Sequence, residues 1–367
     1  MSKAYTNQEF AKPTVITDDA FSFVSFFYAS HNKAMKFDDA SYKNRYGDPK
    51  QYKYDFYWNQ AEIFYKAAKQ LPFEASPVAS YYCMLNAAKS YLSFTLSSAD
   101  KFISEFGMHG IREEKSDTGK DLSDIRITHN NKGVFPLFAS CLDSDFNSIW
   151  PANNTSYSLK SLLYNLVFVH RAFTMTYSTA RKKVPELFVP LTSSPIYYAG
   201  NNSKAHLCIE IDKHFLPENS RTVPSAILKS IDSEYRLLDN SGFHLISKDG
   251  VTYYPDSISS ELREKNNILR KDFCYILSPK RLWYLKRRSL SLNIDAKVIN
   301  LSDMTINMAV MHRISEIARY KPEQLNRLMK SKENWLLHEY ISMALDQFID
   351  EIASEVTKLD IMCPGMR

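Results

Sequence analysis

The chain has 367 residues, 44% of them hydrophobic and 13% aromatic, and its 46 Lys and Arg against 41 Asp and Glu leave a formal net charge of +5. That is enough apolar material for more than one sizeable core, and the mild basic excess neither requires nor excludes a nucleic-acid partner. The nine glycines form neither GxGxxG nor GxxxxGK[ST], which excludes a recognisable Rossmann or P-loop phosphate cradle.

Residues 1–17 are polar and without period, and are expected to form an arm. Asp18 or Asp19 can cap a helix through Phe21, Val24, Phe27 and Tyr28, and the charged stretch 38–50 reads as a loop. Two amphipathic helices follow. Tyr54, Tyr57, Trp58, Ala61, Phe64, Tyr65 and Ala68 share one face of the first, and Val78, Tyr81, Tyr82, Leu85, Ala88, Leu92 and Leu96 one face of the second. Ser76 is the expected cap of the second, Pro77 its first position, and the short 71–75 link forces antiparallel packing. The hairpin is expected to end at His109-Gly110, with 111–121 an exposed loop. Residues 124–128 read as a short strand and Ser158 to Tyr177 as a third helix.

From about Lys182 the pattern changes to short β-branched or aromatic runs at 187–191, 194–199, 205–211, 235–238, 243–247, 251–254 and 273–278, with 239–242 a hairpin turn. Helical spacing returns after Ser302 and continues through 321–329 and 333–358. The chain is therefore expected to be α+β: a helical domain over 18–180, a β-rich segment over 185–290, and a C-terminal helical segment over 300–360 packing on the N-terminal helices.

Five scattered cysteines lack CxxC spacing and suit reduced thiols. The amino terminus has no apolar signal core and no apolar run nears the roughly 20 residues a membrane span needs. A soluble cytoplasmic protein, without membrane contact, is expected.

Several landmarks occur in a set order: the Trp58 helix, Ser80-Tyr81-Tyr82 through Ala87-Ala88-Lys89, His109-Gly110, Gly133-Val134-Phe135 and Ala318-Arg319-Tyr320-Lys321-Pro322. In that order they resemble the YaaC-like family of bacterial proteins over about residues 54–350. The resemblance implies a shared fold and carries no established reaction. Tyr81-Tyr82, Ala87-Ala88-Lys89, Leu92 and His109-Gly110 are also similar to the central helices of HEPN domains. Those are helical bundles, many of them toxin or antiphage ribonucleases with an Arg-x4-6-His motif. This chain departs from that motif: Arg126 and His129 are too close, Arg327 and His338 too far apart, and His312 and Arg319 reversed.

Four groups of residues carry candidate chemistry. His109 and Arg112 pair an imidazole near neutral pKa with a fixed cation, suited to acid–base work or to holding a phosphate, against the plain reading of His109 and Gly110 as a helix end. His312, Arg313, Glu316 and Arg319 fall on neighbouring turns of one helix and could join His109, against an ion-paired surface. Lys280, Arg281, Trp283, Tyr284, Lys286, Arg287 and Arg288 interleave cations with aromatics, as single-strand binding requires, against a charge-guarded edge strand. His206, Glu210, Asp212 and His214 alternate onto one side of a strand, which suits a partly buried sheet better than a metal. No metal or cofactor is expected, and the Glu261, Glu264 and Lys265 group lacks an apolar strand to carry it. Catalysis, if present, falls to His109, Arg112, His312 and Arg319. The leading expectation is a nucleic-acid-binding effector of toxin or antiphage type, with RNA or single-stranded DNA as partner. The alternative is a non-catalytic subunit that docks a partner protein.

Overall fold

The computed structural model describes residues 8–9, 14–35, 53–96, 107–114, 119–199, 204–231, 235–238, 242–248, 250–252, 272–278, 281–290, 292 and 294–363. The first part contains β1 (Gln8–Glu9), β2 (Thr14–Ile16), α1 (Ala20–Met35), α2 (Lys53–Gln70), α3 (Ser76–Thr95), β3 (Ile111–Glu113), β4 (Arg126–His129), α4 (Val134–Leu142), α5 (Phe146–Ile149), β5 (Tyr157–Ser158), α6 (Leu159–Tyr164) and α7 (Val167–Tyr177). Then come β6 (Phe188–Pro190), β7 (Ile196–Ala199), β8 (Lys204–Glu210), α8 (Ser225–Ser230), β9 (Tyr235–Leu237), β10 (His244–Ser247), β11 (Val251–Thr252), β12 (Phe273–Ile276) and β13 (Leu282–Lys286). The chain closes with α9 (Asp303–Tyr320), α10 (Pro322–Met329), α11 (Asn334–Thr357) and β14 (Asp360–Met362). It is an α+β protein, helical toward both ends and strand-rich in the middle. Two compact units result, Thr14–Thr176 with Leu301–Arg367 and Met1–Pro13 with Tyr177–Asn300.

In the helical unit, the apolar faces read from spacing become the core. Trp58, Ala61, Tyr81, Leu85, Ala88 and Leu92 of the α2–α3 hairpin are buried, and the Trp58 indole donates to the Phe21 carbonyl at 3.1 Å. Asp19 caps α1 by accepting the Phe21 amide at 2.9 Å. Ser76, by contrast, is itself helical and its hydroxyl donates to the Phe73 carbonyl, so α3 begins at Ser76 without a side-chain cap, and Pro77 lies in its first turn. The helix expected over 158–177 is two helices broken at Asn165, whose side-chain amide donates to the Ser161 carbonyl at 2.7 Å. The start of α9 is strongly held: buried Asp143 accepts from the Ser302 amide, the Ser302 hydroxyl (2.9 Å) and the Thr305 hydroxyl (2.7 Å). α9 and α11 both pack on α3.

Two expectations for irregular chain are corrected. Part of the arm is strand, because β1 pairs with β7 and β2 runs parallel to β14. Part of the 111–121 loop is strand as well, with β3 antiparallel to β4 and β4 to β5. The strand-rich unit holds one sheet in the order β1-β7-β8-β10-β9, with β11 also on β8, and a second in the order β12-β13-β6. Val189, Leu207, Ile209, Leu245, Phe273 and Leu285 form its core. The turn expected at 239–242 lies mostly outside the described residues. No helix among the described residues is long and apolar enough to cross a membrane.

Candidate active site

The site forms where α3, the segment before β3, and α9 meet inside the helical unit. Gly110 (φ +84°) and Gly133 (φ +127°) occupy backbone conformations that side-chain-bearing residues rarely adopt. They also touch: a Cβ on Gly133 would lie 2.6 Å from the Gly110 Cα. This close approach lets the carbonyls of Met108 and His109 accept the Val134 and Phe135 amides at 2.9 and 3.0 Å, so residues 108–109 cap α4. His109 therefore leads into a strand and serves a different helix from the one whose end it was expected to mark. Its ring is turned to α3, where Tyr81 Oη lies 2.9 Å from Nδ1.

His312 comes to the same place from α9. Its ring centroid is 5.6 Å from that of His109 and 4.8 Å from that of Tyr81, edge to face with both. It is 2% exposed, and its buried Nδ1 has no hydrogen-bond partner, the nearest carboxylate oxygen being Glu316 Oε2 at 3.7 Å. Arg319, two turns along α9, donates to the Ser315 carbonyl at 3.2 Å and to Tyr82 Oη at 3.3 Å. Below the pair, Glu113 of β3 accepts from Arg313 (1% exposed) at 2.8 Å and from Lys321 at 2.7 Å, while Glu316 accepts from Arg313 at 3.2 Å.

This arrangement sets the charge states. Burial, then the Arg319 and Lys89 charges, lowers the His109 pKa; burial, then His109, Arg319 and Arg313, holds His312 well below the usual imidazole range. Both rings are neutral at neutral pH. Burial raises Tyr81 well above the phenol range, so its hydroxyl keeps its proton and donates to His109 Nδ1. That assignment leaves the His109 proton on Nε2, making this nitrogen a donor. The Glu316 carboxyl, whose pKa burial raises, faces His312 Nδ1 at 3.7 Å, beyond hydrogen-bond distance, and its position favours the proton on Nδ1 with Nε2 as acceptor. Among the described residues, none hydrogen-bonds Nε2 of either ring. One acceptor, one donor and an adjacent guanidinium can take up a proton and hold an anion at once.

Of the four expected catalytic residues, His109, His312 and Arg319 are brought together and Arg112 is not. Alternation along β3 turns Glu113 toward α9 and Arg112 away, where it donates to Asn153 Oδ1 at 2.9 Å. Tyr81, Tyr82 and Glu113 were legible only as two core-face tyrosines and one loop acid. A phenol on an otherwise buried face does need a polar partner, and that was the one available signal.

The expected nucleic-acid segment is in part strand, and the edge-strand reading of it is corrected. β13 lies between β12 and β6 and is no edge strand. Its cations are used internally: Lys286, 4% exposed, donates to the Ile299 carbonyl, Arg287 to Ser230 Oγ and the Glu186 carbonyl, and Arg288 donates twice to buried Asp272. Arg281 stacks on Tyr275, Trp283 packs against the core and Tyr284 is half-buried. Lys280 lies outside the described residues, as do Glu261, Glu264 and Lys265. The 206–214 quartet disperses. His206 bonds the Ser247 carbonyl, Glu210 faces His244, and Asp212 with His214 belongs to the turn beyond β8. Among the described residues no group of three or more His, Cys, Asp or Glu is placed to hold a metal ion.

Comparison with known families finds a match over residues 6–356 to the family described as YaaC-like Protein. No curated protein and no solved structure matches. The match lends no support to the HEPN likeness.

Proposed function

Since the chain belongs to the YaaC-like family, whose description names no reaction, we propose from the site alone that the protein is an acid–base enzyme acting on a phosphodiester, with RNA as substrate. The observation that carries this reading is the buried His312 with an unpartnered Nδ1, 5.6 Å from a second neutral imidazole and beside Arg319. RNA supplies its own nucleophile. His312 Nε2 takes the proton of a ribose 2′-hydroxyl as O2′ bonds to phosphorus, and returns it to O5′ as the P–O5′ bond breaks. Glu316 steadies the transient imidazolium, while His109 Nε2–H and the Arg319 guanidinium donate to the nonbridging oxygens. A cleavage activity of this kind fits a toxin-type or antiphage effector.

The test is cleavage of end-labelled single-stranded RNA and DNA by the purified full chain. RNA is cut and DNA is not; His312→Gln lowers the rate by at least about 100-fold, the usual contribution of a positioned acid–base group. Intact RNA, or equal rates in the native protein and the His109→Ala, His312→Gln and Arg319→Ala variants, overturns the reading.

A second reading, a subunit that docks a partner protein, draws on Phe56 and Ile63, exposed large apolar residues two turns apart on α2. It predicts that a Phe56→Ser/Ile63→Ser variant loses function while the histidine variants keep it.

A further inference from the structure

Arg319 is more than a charge beside two histidines. Its guanidinium lies 5.7 Å from the ring centroid of Tyr82 on one element and 5.0 Å from that of Tyr320, its neighbour on α9. Tyr82 stacks in turn on Phe64 of α2, with centroids 5.4 Å apart and ring planes 25° from parallel. A guanidinium fixed by the Ser315 carbonyl and the Tyr82 hydroxyl presents a flat face as well as a charge, and Nη2 has no partner among the described residues. Tyr320 ends α9 because Pro322 disfavours helical backbone at Lys321, and the residue is 71% exposed. An exposed ring of this size at a helix end loses apolar burial unless something flat covers it. The arrangement therefore offers an aromatic platform at the edge of an anion site, which is what a base linked to a phosphate fits.

We propose that Tyr320 and the Arg319 guanidinium form a nucleobase-stacking subsite, so that the phosphodiester delivered to His109 and His312 belongs to an unpaired, single-stranded segment of RNA. This inference rests on the acid–base reading and adds how the substrate is recognised. Stacking needs the π-face of a base and little of its edge, so recognition here is tolerant of sequence. It requires the base to leave a duplex stack.

Anisotropy with two dye-labelled, uncleavable 2′-fluoro hexanucleotides, one carrying bases and one abasic, tests it on the full chain. The base-bearing oligomer binds more tightly, Tyr320→Ala weakens it about 5- to 100-fold, Tyr320→Phe restores it, and the abasic oligomer is indifferent to both substitutions. Equal affinity for the two oligomers, or no effect of Tyr320→Ala on the base-bearing one, overturns the subsite. In that case abasic binding that is lost in Arg319→Ala leaves the phosphate reading standing. Failure of both oligomers to bind at low salt overturns the two together.

Discussion

Two glycines on different segments do the positioning that places His109. Gly110 and Gly133 both have positive φ, and their backbones are in contact. A methyl group on Gly110 would lie 2.5 Å from Pro136 Cδ, and one on Gly133 would meet backbone atoms of Gly110 that cannot move aside. Gly133→Ala is therefore expected to destabilise the fold by about 2–4 kcal/mol, strain and displacement together. Chemical denaturation measures this, and a midpoint shift near zero would show that the contact is dispensable. Both glycines stand out in the sequence, at His109-Gly110 and Gly133-Val134. Nothing local says that they meet, because His109-Gly110 alone reads as a helix end and Gly133 as an ordinary turn residue.

At the level of elements, α9 carries most of the site, with His312, Arg313, Glu316 and Arg319 on one length of helix. Its first turn is fixed by Ser302, a residue type suited to capping, and by buried Asp143, which sequence gives no reason to select. A carboxylate accepting three donors at a helix start answers both the orphan amides and the helix dipole. Asp143→Ala removes the acceptor of the Ser302 amide and the buried Thr305 hydroxyl and is expected to cost about 2–4 kcal/mol. Thermal unfolding monitored by circular dichroism checks it, with a loss under about 0.5 kcal/mol counting against the cap's importance. β13 shows the opposite case. Its basic and aromatic residues suggest a single-strand-binding segment or a charge-guarded edge strand; β13 lies between β12 and β6, and Lys286 at its end, with Arg287 and Arg288 beyond it, donates to acceptors within the same unit.

For the molecule as a whole, the pair of depressed histidines makes stability depend on pH. In the unfolded chain both imidazoles return to about 6.5, whereas burial holds them lower in the folded one. As pH falls below 6.5 the unfolded state binds protons that the folded state refuses. Stability is thus full above pH 6.5 and declines below it until the folded pKa values are reached. Glu316, raised above 4.5 by burial, acts in the opposite sense and offsets part of the loss toward the acid end. Denaturant midpoints at about pH 7.5 and 5.5 should differ, with less stability at the lower pH, and the difference should shrink in His312→Gln. A midpoint that holds constant, or a variant with the same slope, would contradict the charge states assigned here.

The amino-acid sequence by itself determined the long helices α1, α2, α3, α9 and α11, which of their faces are apolar, and that a strand-rich segment interrupts the helices. Periodicity and turn chemistry are local, so the chain carries them openly. It also singled out His109, His312 and Arg319 as side chains with useful chemistry. Only the tertiary structure decided that these three meet while Arg112 turns away, and that the cations from Arg281 to Arg288 are engaged inside their own unit. Those outcomes depend on contacts between distant segments, the Gly110–Gly133 approach and the central position of β13 among them. Long-range packing of this kind follows from shape and burial, which residue spacing does not encode.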